Sequence, residues 1–308
     1  ELCVGVAKDG QRIELSLGSM VLPRELQEDG AVAIVFLRPA KPSPVAATHR
    51  APLRVFTMGP VAMFVGARAV PVHAWQRRQS LTLLKYLLTC RGEPVHRERL
   101  IESLWPEAPP QQGRERLKVV VYALRRALET AGAGTDQVRR SGETYVLVRD
   151  GLWVDRDAFE ELVESGDRLA RLRKAEDALR HYEEADALYC GDYLAEDLYA
   201  DWCAMERERL RETYLALLEK IAALRAAGGD YEKAVLACRK ALTREPCREA
   251  MHRSLMTYLW RAGRRDEALA QFHTCADILA RELDIDPMPD THDLYRQIAQ
   301  EARPLLAP

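Results

Sequence analysis

Apolar–polar alternation between Val4 and Val72, three helix-period segments closing on a hairpin between Gln76 and Val148, and a 34-residue spacing of small and bulky side chains beyond Trp153 predict the fold class. The chain should be mainly α with small β parts: a winged helix-turn-helix followed by an all-α tetratricopeptide-like domain, preceded by a short β segment.

The β segment covers residues 1–38. Val4 to Ala7, Arg12 to Leu17 and Ala31 to Leu37 read as strands, with Asp9-Gly10 and Asp29-Gly30 as turn dipeptides. Residues 39–52, with Pro39, Pro42, Pro44 and Pro52 among small residues, suit an extended linker.

Residues 53–150 form the expected winged helix. Leu53 to Met58, Ala62 to Val65 and Ala69 to Val72 alternate as strands, and a helix over about Gln76 to Cys90 then places Leu81, Leu84, Leu87 and Leu88 on one face. Gly92 and Pro94 end it. A second helix over His96 to Trp105 should bury Leu100, Ile101, Leu104 and Trp105, with Pro106, Pro109 and Pro110 as its stop. A third runs to about Glu129, and Val138 to Arg140 and Tyr145 to Val148 flank Ser141-Gly142-Glu143 as a hairpin.

Residues 151–308 should be helical repeats. Gly229 and Gly263, Ala234 and Ala268, Cys238 and Phe272, Ala241 and Cys275, and Ile221 and Leu255 are each 34 apart, and Ala178, Tyr182 and Ala185 repeat the offsets upstream. That is the tetratricopeptide period, in which a small residue, a bulky one four on and a small one seven on let two helices pack closely. Pro246 closes one unit, whereas the next carries Ala280 there and stops only at Pro287, so the last repeat is expected to be irregular.

With 47% hydrophobic and 30% charged residues the composition is that of a folded chain. The longest apolar run, Ala31 to Leu37, is too short for a bilayer, and no leader pattern opens the sequence, so no membrane association is expected and a cytoplasmic location is. The chain begins at Glu1 without an initiator Met, as a piece of a longer protein would. Seven scattered cysteines and histidines without ligand spacing signal neither a disulfide framework nor a metal site. No phosphate loop, paired-carboxylate motif or nucleophile with a base is present, and no enzymatic activity, catalytic residue or cofactor is expected.

Charge is segregated. Residues 51–150 carry 16 basic and 9 acidic side chains, net +7, while residues 151–308 carry 23 and 32, net −9. The basic part should meet a polyanion and the acidic part a different partner. In the third helix Leu117, Val120, Val121, Leu124 and Leu128 make an apolar stripe; opposite lie Glu115, Val119, Tyr122 and Arg126, flanked by Arg116, Lys118 and Arg125. Such a face suits a major groove, where cations reach phosphates or guanine edges and a valine methyl meets a thymine methyl. Arg114 near the helix start is a candidate backbone clamp, and Arg139 and Arg140 in the hairpin are candidates for phosphate or the minor groove. The Glu206 to Arg211 run is most simply a solvated helix face, and Trp202, Tyr258, Trp260 and Trp75 are most simply packing residues.

Several separate stretches carry a resemblance: Leu104-Trp105-Pro106, Leu124-Arg125-Arg126-Ala127-Leu128, Tyr189-Cys190-Gly191-Asp192-Tyr193-Leu194, Gly229-Asp230-Tyr231-Glu232-Lys233-Ala234, Glu245-Pro246-Cys247-Arg248-Glu249, Gly263 to Leu269 and Leu283 to Pro287. In this order and spacing, residues 53–300 resemble the Streptomyces antibiotic regulatory protein family, which joins an OmpR-type winged helix to a bacterial transcriptional activation domain. The resemblance implies a transcription activator whose third helix reads the major groove of double-stranded promoter DNA. It also implies tandem promoter repeats, RNA polymerase and its sigma factor as partners, and a homodimer or side-by-side protomers on DNA. It explains Cys190-Gly191-Asp192 as a turn between helices. The Walker A pattern of larger relatives is missing, and the β segment lies outside the resemblance. The alternative reading is a protein–protein adaptor that binds through the helical repeats, with the winged helix as a docking module.

Overall fold

A computed structural model describes residues 2–6, 12–16, 53–66, 68–70, 78–133 and 136–300. Two strands, β1 (Leu2–Val6) and β2 (Arg12–Ser16), pair antiparallel with Leu2 opposite Ser16. The strand expected over Ala31 to Leu37, the proline-bearing stretch 39–52 and Trp75 lie outside the described residues.

The winged helix begins with β3 (Leu53–Phe56), β4 (Ala62–Val65) and β5 (Arg68–Ala69), followed by α1 (Arg78–Thr89), β6 (Val95–His96), α2 (Arg97–Leu104) and α3 (Pro110–Ala131). It closes with β7 (Val138–Ser141), β8 (Thr144–Leu147) and β9 (Leu152–Val154). Leu81, Leu84, Leu87 and Leu88 of α1 pack with Leu100, Ile101 and Trp105 and with the apolar stripe of α3 into one core. Each amphipathic helix thus buries the stripe its 3.6-residue period defines, at about 25 cal/mol for every Å² of apolar surface removed from water.

Pro110 starts α3, where its missing N–H has no intrahelical acceptor to lose. Gly132, at φ 89°, ends the helix in the left-handed conformation that glycine adopts without a Cβ clash.

Four details of the winged helix differ from expectation, the first being that Leu104, expected to be buried, is only half-buried against the core. His96 is not in the second helix: Val95 and His96 form β6, which pairs with β8, and the His96 Nδ1 caps α2 by accepting from Glu98 N at 3.3 Å. Val95 gains burial by pairing there with Tyr145. The hairpin turn is Gly142-Glu143 rather than three residues, because Ser141 pairs with Thr144. Finally, Leu152 to Val154 form a strand that pairs in parallel with β3, completing a four-stranded sheet in the order β5-β4-β3-β9.

Beyond β9 come α4 (Asp155–Arg171), α5 (Ala175–Leu188), α6 (Asp201–Ala227), α7 (Tyr231–Arg244), α8 (Glu249–Arg261), α9 (Arg265–Leu283) and α10 (Pro289–Gln300). The small and bulky repeat positions Ala178, Tyr182, Ala185, Ala234, Cys238, Ala241, Ala268, Phe272 and Cys275 are all buried, so the period reports helix-pair packing. The last unit is irregular as expected: α9 runs five residues longer than the 14-residue α7 and ends on Asp284 in the left-handed region at φ 56°.

The two parts are joined by buried polar contacts. Asp155, at the start of α4, accepts from Thr57 N at 2.8 Å, Thr57 Oγ1 at 2.7 Å and Met58 N at 2.9 Å, tying the helix to the end of β3. Arg156, 1% exposed, donates through Nη1 to Leu88 O at 3.0 Å and to Tyr193 Oη at 3.3 Å. Burial pushes the Tyr193 phenol up to about 12, so it stays protonated and shares a hydrogen bond with Thr89. The Cys190-Gly191-Asp192 turn does more than link helices. Gly59 N donates to Asp192 O and Leu194 N to Thr57 O, and a Cβ on Gly191 would lie 3.0 Å from Gly59 Cα, so the turn docks backbone against backbone on the winged-helix sheet.

The Glu206 to Arg211 run is not a plain solvated face. Glu206 pairs with Arg91 of the winged helix and with Arg209, and Arg207 donates to Tyr193 O at 2.9 Å and Asp197 O at 2.8 Å. Trp202 stacks at a tilt on Tyr86 with centroids 5.3 Å apart, packing against both cores.

Candidate nucleic-acid interface

Helix α3 has 22 residues and is therefore about 33 Å long, more than enough to lie across a major groove. Its buried side is Gly113, Leu117, Val120, Val121, Leu124 and Leu128, which contains every residue of the expected apolar stripe. Gly113 permits the close approach to α2, since a Cβ there would lie 2.3 Å from Ile101 Cγ2.

The opposite side is open. Val119 is 43% exposed and Tyr122 64%, two large apolar side chains held in water amid cations. Arg116 and Arg126 are exposed on the same face, and Arg126 Nη1 donates to Tyr122 Oη at 3.3 Å, bracing the two along the helix at i, i+4 spacing. Lys118 is exposed and pairs with Glu115 at 2.7 Å, an i, i+3 contact weak enough to yield to another anion.

Arg125 sits differently. It is half-buried and its Nε donates to Val138 O at 3.0 Å, so it buttresses α3 against the wing and leaves the open face to its neighbours. In the wing, Arg139 is exposed, while Arg140 donates through Nε to Gly142 O at 2.8 Å. Arg114 is engaged by Glu98 of α2, Nη2 to Oε1 at 2.8 Å.

Sequence reasoning missed Arg97. It is the first residue of α2, its backbone N–H donates to Glu143 O at 2.8 Å, and its guanidinium pairs with Glu143 and, at 3.2 Å, with Glu98. Pairing of β6 with β8 carries it to the wing, a contact between residues 46 apart that no local pattern signals. With Gln111, Arg114, Lys118, Arg140 and Tyr145 it lines a cleft of about 270 Å³ between α3 and the wing. Desolvation raises the Glu98 carboxyl, and the hydrogen bonds and charges of Arg114 and Arg97 together outweigh it and hold the group below its ordinary range.

Among the described residues there is no cluster of metal-ligating side chains, and no helix is long and apolar enough to cross a membrane.

Residues 75–145 match the family described as the C-terminal domain of transcriptional regulatory proteins, and residues 154–299 match the bacterial transcriptional activator domain. The regulatory protein AfsR of Streptomyces griseus is 28% identical over 258 residues, 83% of this chain and 25% of AfsR; the chain thus spans about a quarter of that relative. Regulatory protein DnrI of Streptomyces peucetius is 26% identical over 253 residues, covering 80% of this chain and 92% of DnrI. The structure of Mycobacterium tuberculosis EmbR in complex with a low affinity phosphopeptide has the same fold, with a TM-score of 0.70, at 24% identity over 82% of this chain and 66% of that one.

Proposed function

Since the chain belongs to the Streptomyces antibiotic regulatory protein family of transcriptional regulators, joining an OmpR-type winged helix to a bacterial transcriptional activator domain, we propose that it is a sequence-specific DNA-binding activator. It acts in the cytoplasm, binds tandem promoter repeats as side-by-side protomers, and recruits RNA polymerase holoenzyme.

One observation carries the DNA-binding part: α3 leaves Val119 and Tyr122 exposed between Arg116 and Arg126, on a domain of net +7. Water gives these apolar groups no stabilisation there, whereas a major groove offers thymine methyls to them and phosphates to the cations. Arg114, Lys118, Arg139 and Arg140 supply backbone contacts on either side, and Arg125 serves by holding the wing in register with the helix. The acidic helical repeats are repelled from the same polyanion, which supports giving them the polymerase and its sigma factor as partner.

Selection of bound duplexes from random sequence, followed by footprinting with RNA polymerase present, tests both parts. The expected result is enrichment of a directly repeated site and a footprint extended by polymerase. Arg116→Ala and Arg126→Ala should weaken binding to all duplexes, while Val119→Ala and Tyr122→Ala should change which duplexes are enriched. Absence of duplex binding at low salt from every pool refutes the proposal.

A further inference from the structure

The cleft between α3 and the wing has more charge than its open appearance suggests. Arg114 lies against Glu98 at 2.8 Å through Nη2 and 3.0 Å through Nε, Arg97 reaches the same Glu98 oxygen at 3.2 Å and pairs with Glu143, and Arg140 stands 3.9 Å from Glu143. Lys118 pairs with Glu115. Four cations against three carboxylates leave one net positive charge. Arg97 is 26% exposed and the others around it are 41% exposed or more, so none of these pairs is sealed from solvent.

Guanidinium donors that hold a carboxylate present the same N–H groups to a backbone phosphate, whose two non-bridging oxygens share one negative charge as the two carboxylate oxygens do. Gln111 in the first turn of α3 adds a neutral donor at the helix end where the macrodipole favours an anion. We propose that this notch is a subsite for one backbone phosphate of duplex DNA, in which Glu98 and Glu143 occupy the guanidinium positions that the phosphate takes over. The inference rests on the DNA-binding reading above. In the free protein the two carboxylates keep Arg97, Arg114 and Arg140 oriented while competing with DNA of any sequence, so they lower affinity uniformly. The notch therefore positions the duplex and limits idle binding, and base reading stays with the exposed face of α3.

The test is anisotropy of a labelled duplex, one selected and one unrelated, across a sodium chloride series, for the wild-type chain, Arg97→Ala, Glu98→Gln and Glu143→Gln. The glutamines keep an oxygen that accepts from arginine and remove only the charge. Arg97→Ala should reduce the slope of log K against log salt by about 0.9, the share of one phosphate, on both duplexes. Glu98→Gln and Glu143→Gln should each raise affinity about two- to fivefold on both duplexes, the range an exposed ion pair spans. Unchanged or weaker binding by both glutamine variants overturns the competition, because a purely orienting role predicts loss. An unchanged slope in Arg97→Ala overturns the subsite. Binding of millimolar inorganic phosphate at fixed ionic strength, read by calorimetry and lost in Arg97→Ala, that leaves duplex affinity unchanged identifies a free-anion site and overturns the backbone assignment. If the wild-type chain binds neither duplex, the DNA-binding reading itself fails, a result distinct from both of these. Thermal melting by circular dichroism confirms that each variant is folded.

Discussion

Replacement of Arg156 by Ala should uncouple the winged helix from the helical repeats. The guanidinium is buried and donates to Leu88 O at 3.0 Å, Tyr193 Oη at 3.3 Å and Asp157 Oδ1 at 2.8 and 3.0 Å. Asp157 and Glu206 retain Arg149 and Arg91 respectively, so the substitution does not strand a buried carboxylate. What it removes is the charged donor to the Leu88 carbonyl at the end of α1, which keeps the Arg91 N–H at 3.0 Å, at about 1.5–3 kcal/mol for a hydrogen bond to a charged group. It also leaves a void beside the Tyr193 ring, over which the guanidinium carbon sits at 5.6 Å. Together these reach about 2–5 kcal/mol, the range for truncating a large buried side chain. Arg156→Lys keeps the charge and one donor and should lose about half as much.

Urea unfolding of the whole chain, followed by circular dichroism, measures the difference. We expect one transition in the wild type, because the contacts from Asp155, from Arg156 and from Lys85 of α1, which pairs with Asp197 at 2.6 Å, bind the two cores together, and a broadened or split transition in Arg156→Ala. A variant within about 0.5 kcal/mol of wild type, the range of an ordinary surface substitution, with an undivided transition would refute the argument.

Three further outcomes follow from particular contacts. Gly113→Ala should destabilise the winged helix by about 1–3 kcal/mol by overpacking against Ile101 Cγ2, despite the better helix propensity of alanine, and Ile101→Leu, which lacks that methyl, should recover part of the loss in a double-mutant cycle read by thermal melting. His252 is buried, with Nε2 2.8 Å from Pro246 O and Nδ1 2.6 Å from Gln271 Nε2, which satisfies the neutral ring; desolvation pushes its pKa below 6.5. Because the folded value lies below the unfolded one, the group's contribution is present above about 6.5 and is lost as pH falls toward the folded value, so denaturant midpoints should drop on acidification from pH 7 to 5 and His252→Gln should flatten that drop. Asp155→Ala, which leaves Thr57 N and Met58 N without their buried acceptor, should cost about 2–4 kcal/mol in the same unfolding assay, and a loss under 1 kcal/mol would mean that the clasp is dispensable.

The exposed face of α3 was legible in the sequence because a helix of period 3.6 sorts its own side chains: Leu117 to Leu128 could only be inward if Val119, Tyr122 and Arg126 were outward. The repeat was legible because helix pairs at a fixed spacing impose size at fixed positions, so Ala234 and Ala268 announce the same close contact. Arg125 shows the limit of this logic. It stands beside the exposed face by angle, yet the Val138 carbonyl of the wing captures it.

Local pattern therefore determined the helices, the hairpin, the charge split and the order of the parts, since each depends on neighbours within a few turns of chain. Tertiary structure alone decided the rest. Strand β9 exists because β3, about 100 residues earlier, offers an edge to it. Glu206 and Arg207 leave their solvated face because Arg91 and the Tyr193 carbonyl meet them. Arg97 joins the candidate interface because β6 pairs with β8. In each case the partner is distant in sequence, and the free energy that places the side chain comes from a contact with no local signature.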